Sequence, residues 1–209
     1  FIHCQPQEVV FTHGTSDGLN LVAHGYGEKN IKAGDIILLS AAEHASNILP
    51  WFKLAELTGA LIQYIPLDAY GQMSLEAVQA AIVPGVKLVS LASTTNILGY
   101  RVPMAEISRL AHQVGAIVVC DGAQSVPHQV TDVQAMGVDF LAFSAHKCCG
   151  PTGVGVLYGR QELLEAMTPY EYGGGSNARY YADGRIILKD SPYKFEAGTP
   201  AIEGVLGMR

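Results

Sequence analysis

The 209-residue chain is expected to fold as a three-layer α/β/α domain built on a seven-stranded, mostly parallel sheet. Short β-branched or apolar runs alternate with longer segments of helical spacing, the pattern of a parallel sheet covered by helices on both faces. Hydrophobic residues make up 49% of the chain and charged residues 15%, a composition that supports a packed core rather than a disordered chain. No internal repeat, low-complexity tract or long polar linker interrupts the pattern, which favours one domain over residues 1–209.

The strands are read at "EVVFT" (8–12), "DIILLS" (35–40), "LIQYI" (61–65), "KLVSLA" (87–92), "AIVVC" (116–120), "FLAFS" (140–144) and "VGVLY" (154–158). Helical spacing falls roughly over 15–25, 47–58, 74–81, 103–114 and 160–167. The fourth is the best punctuated, with Pro103 opening it and Gly115 closing it. From about 168 the pattern loosens into "TPYEYGGGSNARYYADGR", which reads as a long surface loop, a common home for function.

A formal charge of −6 offers no general attraction to nucleic acid or to anionic membranes, so any bound anion must be held locally. No run of about 18 apolar residues appears, and the first residues lack a basic segment followed by an apolar stretch and a small-residue cleavage site, so the protein is expected in the cytoplasm, away from membranes. The cysteines (Cys4, Cys120, Cys148, Cys149) do not form a disulfide-like pattern and are expected as reduced thiols. The chain begins without a methionine and stops just after a glycine-rich segment, so it reads as a piece truncated at both ends.

Parallel sheets bind ligands at the carboxyl ends of their strands, and here those ends are rich in polar residues. They read "HGTSDG", "AAEHASN", "STTN", "DGAQS" and "SAHK". In "THGTSDGLNLV" a glycine and two hydroxyls precede a helix, which suits a phosphate and also suits an ordinary Thr or Ser cap. It is neither a dinucleotide fingerprint nor a P-loop. Asp121 ends an apolar strand, where a carboxylate needs a cation, a strong donor or a capping role in the next turn. Gln124, one turn on, can add a donor.

Lys147 stands between His146 and the pair Cys148–Cys149. Three contiguous ligands point in different directions, which disfavours a metal, and vicinal cysteines differ from a redox Cys-x-x-Cys pair. A lysine amine can instead be desolvated and used to form a Schiff base. A Schiff-base lysine, a phosphate cradle and a strand-end aspartate together match pyridoxal 5′-phosphate: Lys147 takes the aldehyde, "GTS" the phosphate and Asp121 the pyridine nitrogen, with an imidazole of "EHASN" stacked on the ring.

The strings "FTHGTSDGLNLVA", "EHASNILPW", "TTNILG", "DGAQSVPH", "DFLAFSAHKCCGPTGVGVLYG" and "FEAGTP" extend over nearly the whole chain. In them the sequence resembles the fold-type I, pyridoxal-phosphate-dependent enzymes of the aminotransferase class V group, in particular the SufS/CsdA-like cysteine desulfurases and selenocysteine lyases. The resemblance implies the large domain of that fold, with "VGVLY" as its antiparallel strand. It implies catalytic roles for Lys147, His44 and Asp121: Lys147 as the cofactor lysine, Asp121 as partner of the pyridinium and His44 as the stacking, proton-moving residue. Gln124 would contact the phenolic oxygen, Thr15, Ser16, Ser144 and His146 the phosphate, and Asn96 the ring and substrate carboxylate. Gly198 and Thr199 would reach the phosphate of the other subunit of a homodimer.

The activity implied is removal of sulfur from L-cysteine, giving L-alanine and an enzyme persulfide for Fe–S cluster assembly or other delivery to a sulfur-acceptor protein. A selenocysteine lyase, a kynureninase-like enzyme or an aminotransferase of the same group, and a non-catalytic binding module, are the alternatives. The family's Arg-Gly-Thr-Thr stands here as "HGTS" and its second histidine of Glu-His-His as Ala45, while Asp17 puts an acid beside the phosphate segment. The family's nucleophilic cysteine and carboxylate-binding arginine are expected beyond Arg209, in a small domain outside this chain.

Overall fold

The computed structural model describes residues 1–208. Its main sheet has seven strands: β1 (Val9–Thr12), β2 (Ile36–Ser40), β3 (Leu61–Ile65), β4 (Val86–Ala92), β5 (Ile117–Asp121), β6 (Phe140–Ser144) and β7 (Gly155–Gly159). They lie in the order β1-β7-β6-β5-β4-β2-β3. β2 pairs in parallel with β3 and β4, and β4, β5 and β6 continue in parallel. β7 is antiparallel to both β6 and β1, as the resemblance implies for "VGVLY".

The helices are α1 (Thr15–Val22), α2 (Glu28–Asn30), α3 (Leu49–Thr58), α4 (Leu75–Ala81), α5 (Met104–Gln113), α6 (Val133–Met136), α7 (Gln161–Ala166) and α8 (Ile202–Gly207). Alternation along the strands divides the core in two. Val118, Cys120, Leu141 and Phe143 pack with Val78 of α4, Ile107 and Leu110 of α5 and Val133 of α6. Val119, Phe140 and Ala142 face the other way, against Leu19 of α1, Trp51 and Leu54 of α3 and Leu164 of α7. The result is the expected α/β/α sandwich.

Two local expectations are corrected. The helix read over 15–25 is regular only to Val22, after which Ala23–Gly27 form a wider π-type turn that leads into α2. Two glycines there allow close packing: a Cβ on Gly27 would stand 2.4 Å from a Leu54 methyl, and one on Gly25 2.5 Å from the Thr168 carbonyl oxygen. The segment after 168 is not wholly loop. It carries an antiparallel hairpin, β8 (Asn177–Tyr180) and β9 (Ile186–Leu188), turning at Asp183-Gly184, where Gly184 takes φ +89° and the Arg185 amide donates to the Asp183 carboxylate. Asp-Gly between β-prone runs is a hairpin signal. Lys194 then pins the following segment to the C-terminus of α7, its Nζ donating to the Glu165 and Met167 carbonyls at 2.8 and 3.0 Å.

The β1–β7–β6 arrangement brings the start of α1 to the edge where the parallel strands end. Gly155 pairs with both Thr12 and Ser144, and a Cβ there would lie 2.5 Å from the Gly14 Cα and 2.6 Å from the Phe143 carbonyl oxygen. Both neighbours are backbone and cannot yield cheaply. Gly155→Ala is therefore expected to cost about 1–3 kcal/mol in urea unfolding. Gly174→Ala, with open space around it, should stay within about 0.5 kcal/mol.

Candidate active site

At the carboxyl ends of β2, β4, β5 and β6, where the strand order reverses between β2 and β4, the structure has a solvent-open cleft of about 620 Å³. Thr15, Ser16, His44, Asn96, Asp121, Gln124, Ser144, His146 and Lys147 all line it, joined by Ser46, Ala92, Thr94 and Ala123. Thus nine sequence-derived candidates, spread over 133 positions from Thr15 to Lys147, meet in one place. Gly198 and Thr199 do not; they line a separate groove with His13, Asp17 and Tyr170.

One end of the cleft is built for an anion. The Thr15 amide donates to Ser144 Oγ at 2.8 Å, and the two hydroxyls are 2.7 Å apart. The Ser16 hydroxyl donates to Ser46 Oγ at 2.6 Å. Hydroxyls and backbone N–H groups at the positive end of α1 form a phosphate-type cradle. Asp17, which seemed misplaced in the sequence, points elsewhere. Its carboxylate accepts from the His13 amide at 2.8 Å and from the Tyr170 hydroxyl, in the neighbouring groove.

The carboxylate stands at the end of the neighbouring strand, β5. Asp121 is 5% exposed at the end of β5, paired in register with Ala92 and Ala142. Its Oδ1 accepts from the Ala123 amide at 2.9 Å, and no other hydrogen bond to Asp121's carboxylate forms among the described residues. Burial pushes this carboxyl above its ordinary value, opposed by the Ala123 amide and then by the positive groups of Lys147 and His44. Such a group calls for a protonated nitrogen as partner.

Lys147 lies in the single 3₁₀ turn Ala145–Cys148 that follows β6. The turn closes through Cys149 in the left-handed region, φ 60°, and through the Gly150 amide donating to the Ala145 carbonyl at 2.9 Å. Cys148 packs against the core and Cys149 is exposed; neither lines the cleft. His44 caps the next turn with Nδ1, which accepts from the Ser46 amide at 3.2 Å. This assigns the ring proton to Nε2 when the imidazole is neutral.

Sequence reasoning missed two features. Behind His44, Glu43 is buried in a network with Asn47, Trp51 and Ser90. At the rim, Arg101 donates from Nε and Nη2 to Gln129 Oε1, and Gln129 donates to Thr94 Oγ1 at 2.8 Å. The apolar run before "AAEHASN" was the only hint of the first; the second joins residues 35 apart and had no local signal.

The donor set fits pyridoxal 5′-phosphate: hydroxyls and amides for a phosphate, a desolvated carboxylate for a pyridinium and a primary amine for an aldehyde.

The family described as "Aminotransferase class-V" matches residues 1–209. A probable cysteine desulfurase of Halalkalibacterium halodurans is 45% identical over 209 residues, which are 100% of this chain and 51% of that protein. The crystal structure of the Escherichia coli cysteine desulfurase CsdA superposes with a TM-score of 0.94 at 39% identity, covering 98% of this chain and 51% of the other. A C-DES variant with glycine covalently linked to its PLP cofactor superposes with a TM-score of 0.82 at 26% identity, over 98% of this chain and 54% of that one. The chain thus spans about half the length of the relatives it matches. It belongs to the aminotransferase class-V family.

Proposed function

We propose that residues 1–209 form the pyridoxal-phosphate-binding large domain of a cysteine desulfurase, which takes sulfur from L-cysteine and leaves L-alanine. The observation that carries this reading is the meeting of Lys147, Asp121 and the α1 hydroxyls in one cleft. The cysteine desulfurases at 45% identity and the PLP-linked C-DES structure support the choice of substrate and cofactor.

When bound, the cofactor supplies an aldehyde for amines and an electron sink for the α-carbon of an amino acid. The residues of the chain do the rest. Thr15, Ser16, Ser144 and His146 hold the phosphate, and the start of α1 adds its dipole. Asp121 would pair with the ring nitrogen and favour its protonated form, and its burial would strengthen that interaction. His44, with Nδ1 engaged by the Ser46 amide, has Nε2 free to move a proton, and Lys147 offers its amine both for covalent capture and for proton transfer at the α-carbon. Gln124 and Asn96 supply amide groups to the phenolic oxygen and the substrate carboxylate.

None of Cys4, Cys120, Cys148 and Cys149 lines the cleft, and burial pushes the Cys120 thiol up to about 12. The thiol that accepts sulfur is therefore supplied by another segment or chain, from which a sulfur-acceptor protein draws it. Gly198 and Thr199, turned away from their own cleft, fit a role at the phosphate of the partner subunit in a homodimer. The free thiols of Cys4, Cys120, Cys148 and Cys149 fit a reducing compartment such as the cytoplasm.

Titration with pyridoxal 5′-phosphate, followed by absorbance and borohydride trapping, tests the assignments. Lys147→Ala is expected to abolish trapping and leave the circular dichroism unchanged. Asp121→Ala should keep trapping but weaken capture by about ten- to a hundredfold, the loss of one charge-assisted contact. Trapping in the Lys147 variant at the wild-type level would refute the lysine assignment. The loaded chain alone should release alanine from L-cysteine no faster than free cofactor does, and rapid release would return Cys148 and Cys149 to consideration.

A further inference from the structure

Glu43 stands between β2 and His44 and is 9% exposed. Its Oε2 accepts from the Asn47 side-chain amide at 2.7 Å and from the Ala92 backbone amide at 2.8 Å. Its Oε1 is buried without a hydrogen-bond partner. No cation forms a salt bridge with Glu43 among the described residues. The groups around it are Asp121 and Cys120 from β5 and His44 from its own turn, with Lys147 beyond Asp121; β4 contributes the Ala92 amide and, through Asn47, the Ser90 hydroxyl. A carboxylate in this place would have one oxygen desolvated and unpaired and a second buried carboxyl close by. With both donors aimed at Oε2, a proton has room only on Oε1.

We propose that Glu43 is a positioning residue that works as an uncharged carboxylic acid, tying the His44 turn to the end of β4 and leaving Asp121 the sole negative charge on that wall of the cleft. The tie is short. Ala92, whose amide Glu43 holds, is the register partner of Asp121, and Asn47, whose side chain it also holds, sits three residues after His44. The consequence for cofactor binding rests on the function proposed above; the protonation state does not.

Burial is the main cause that lifts this carboxyl from 4.5 to about 8, with Asp121 adding to it and the Asn47 and Ala92 donors opposing it. Between these values the folded chain keeps a proton that the unfolded chain has released. The stability due to that proton is complete below pH 4.5, falls as pH rises and is gone above about 8.

Chemical unfolding of the cofactor-free chain at pH 5 and pH 9, for wild type and Glu43→Gln, tests the charge. Glutamine mimics the neutral acid, so from pH 5 to 9 the folded-to-unfolded ratio of wild type should fall by up to about a thousandfold more than that of the variant. Equal falls would overturn the proposal. Carboxyl ¹³C resonances of wild type give the same answer without a substitution: a Glu43 midpoint near 8 supports it, and one near 4.5 overturns it. Cofactor capture at pH 7 tests the positioning role. Glu43→Gln should stay within about twofold of wild type, while folded Glu43→Ala should lose about tenfold or more. Loss in Glu43→Gln equal to that in Glu43→Ala would overturn it. If wild type itself captures no cofactor, the proposed function fails, and the unfolding result still decides the charge of Glu43.

Discussion

The burial of Asp121 at the end of β5 is the constraint around which the cleft is arranged. A carboxyl at 5% exposure is costly unless it has partners, and among the described residues only the Ala123 amide lies within hydrogen-bonding distance of it. Lys147 from the end of β6 adds favourable charge without neutralising it by direct contact. The sheet makes this possible, because β5 is central and its end is flanked by the ends of β4 and β6. A carboxylate held this way still favours a cationic partner, which the protonated ring nitrogen of the proposed cofactor would supply.

The other half of the cleft depends on β7. Because β7 runs antiparallel between β6 and β1, β1 points the same way as β6, and the chain leaves it at the same edge. Gly155 lets the Gly14 backbone come close enough for the Thr15 amide to reach Ser144. The proposed phosphate cradle is thus a product of sheet topology and one missing side chain. Asp17 follows from the same geometry: it turns back to cap the His13 amide and leaves the cradle free of negative charge.

All seven main strands were legible in the sequence because they are short runs rich in apolar and β-branched residues, and their boundaries shift by only a residue or so in the structure. The cleft residues were legible for a different reason: polar groups at the ends of apolar strands have little structural cause to be there. What escaped depended on tertiary contact or on weak local signals. The widening after Val22 reflects the approach of Leu54 and Thr168, which no helical periodicity contains. α6 is a single turn, too short for periodicity, although Asp132 capping its start and Gly137 in the left-handed region at its end were both in the sequence. Glu43 looked like a loop residue, and only its partner 49 positions away, the Ala92 amide, shows that it is an interior one.

Lys147 is the residue proposed to carry the cofactor. Reduction of the cofactor-loaded chain with borohydride, proteolysis and mass mapping tests it most directly, because the modified peptide identifies the lysine. The pyridoxyl adduct is expected on Lys147, within "FSAHKCCGPTG", and on no other lysine in comparable yield. An adduct concentrated on any other lysine, such as Lys194, whose amine donates to carbonyls at the end of α7, would contradict it.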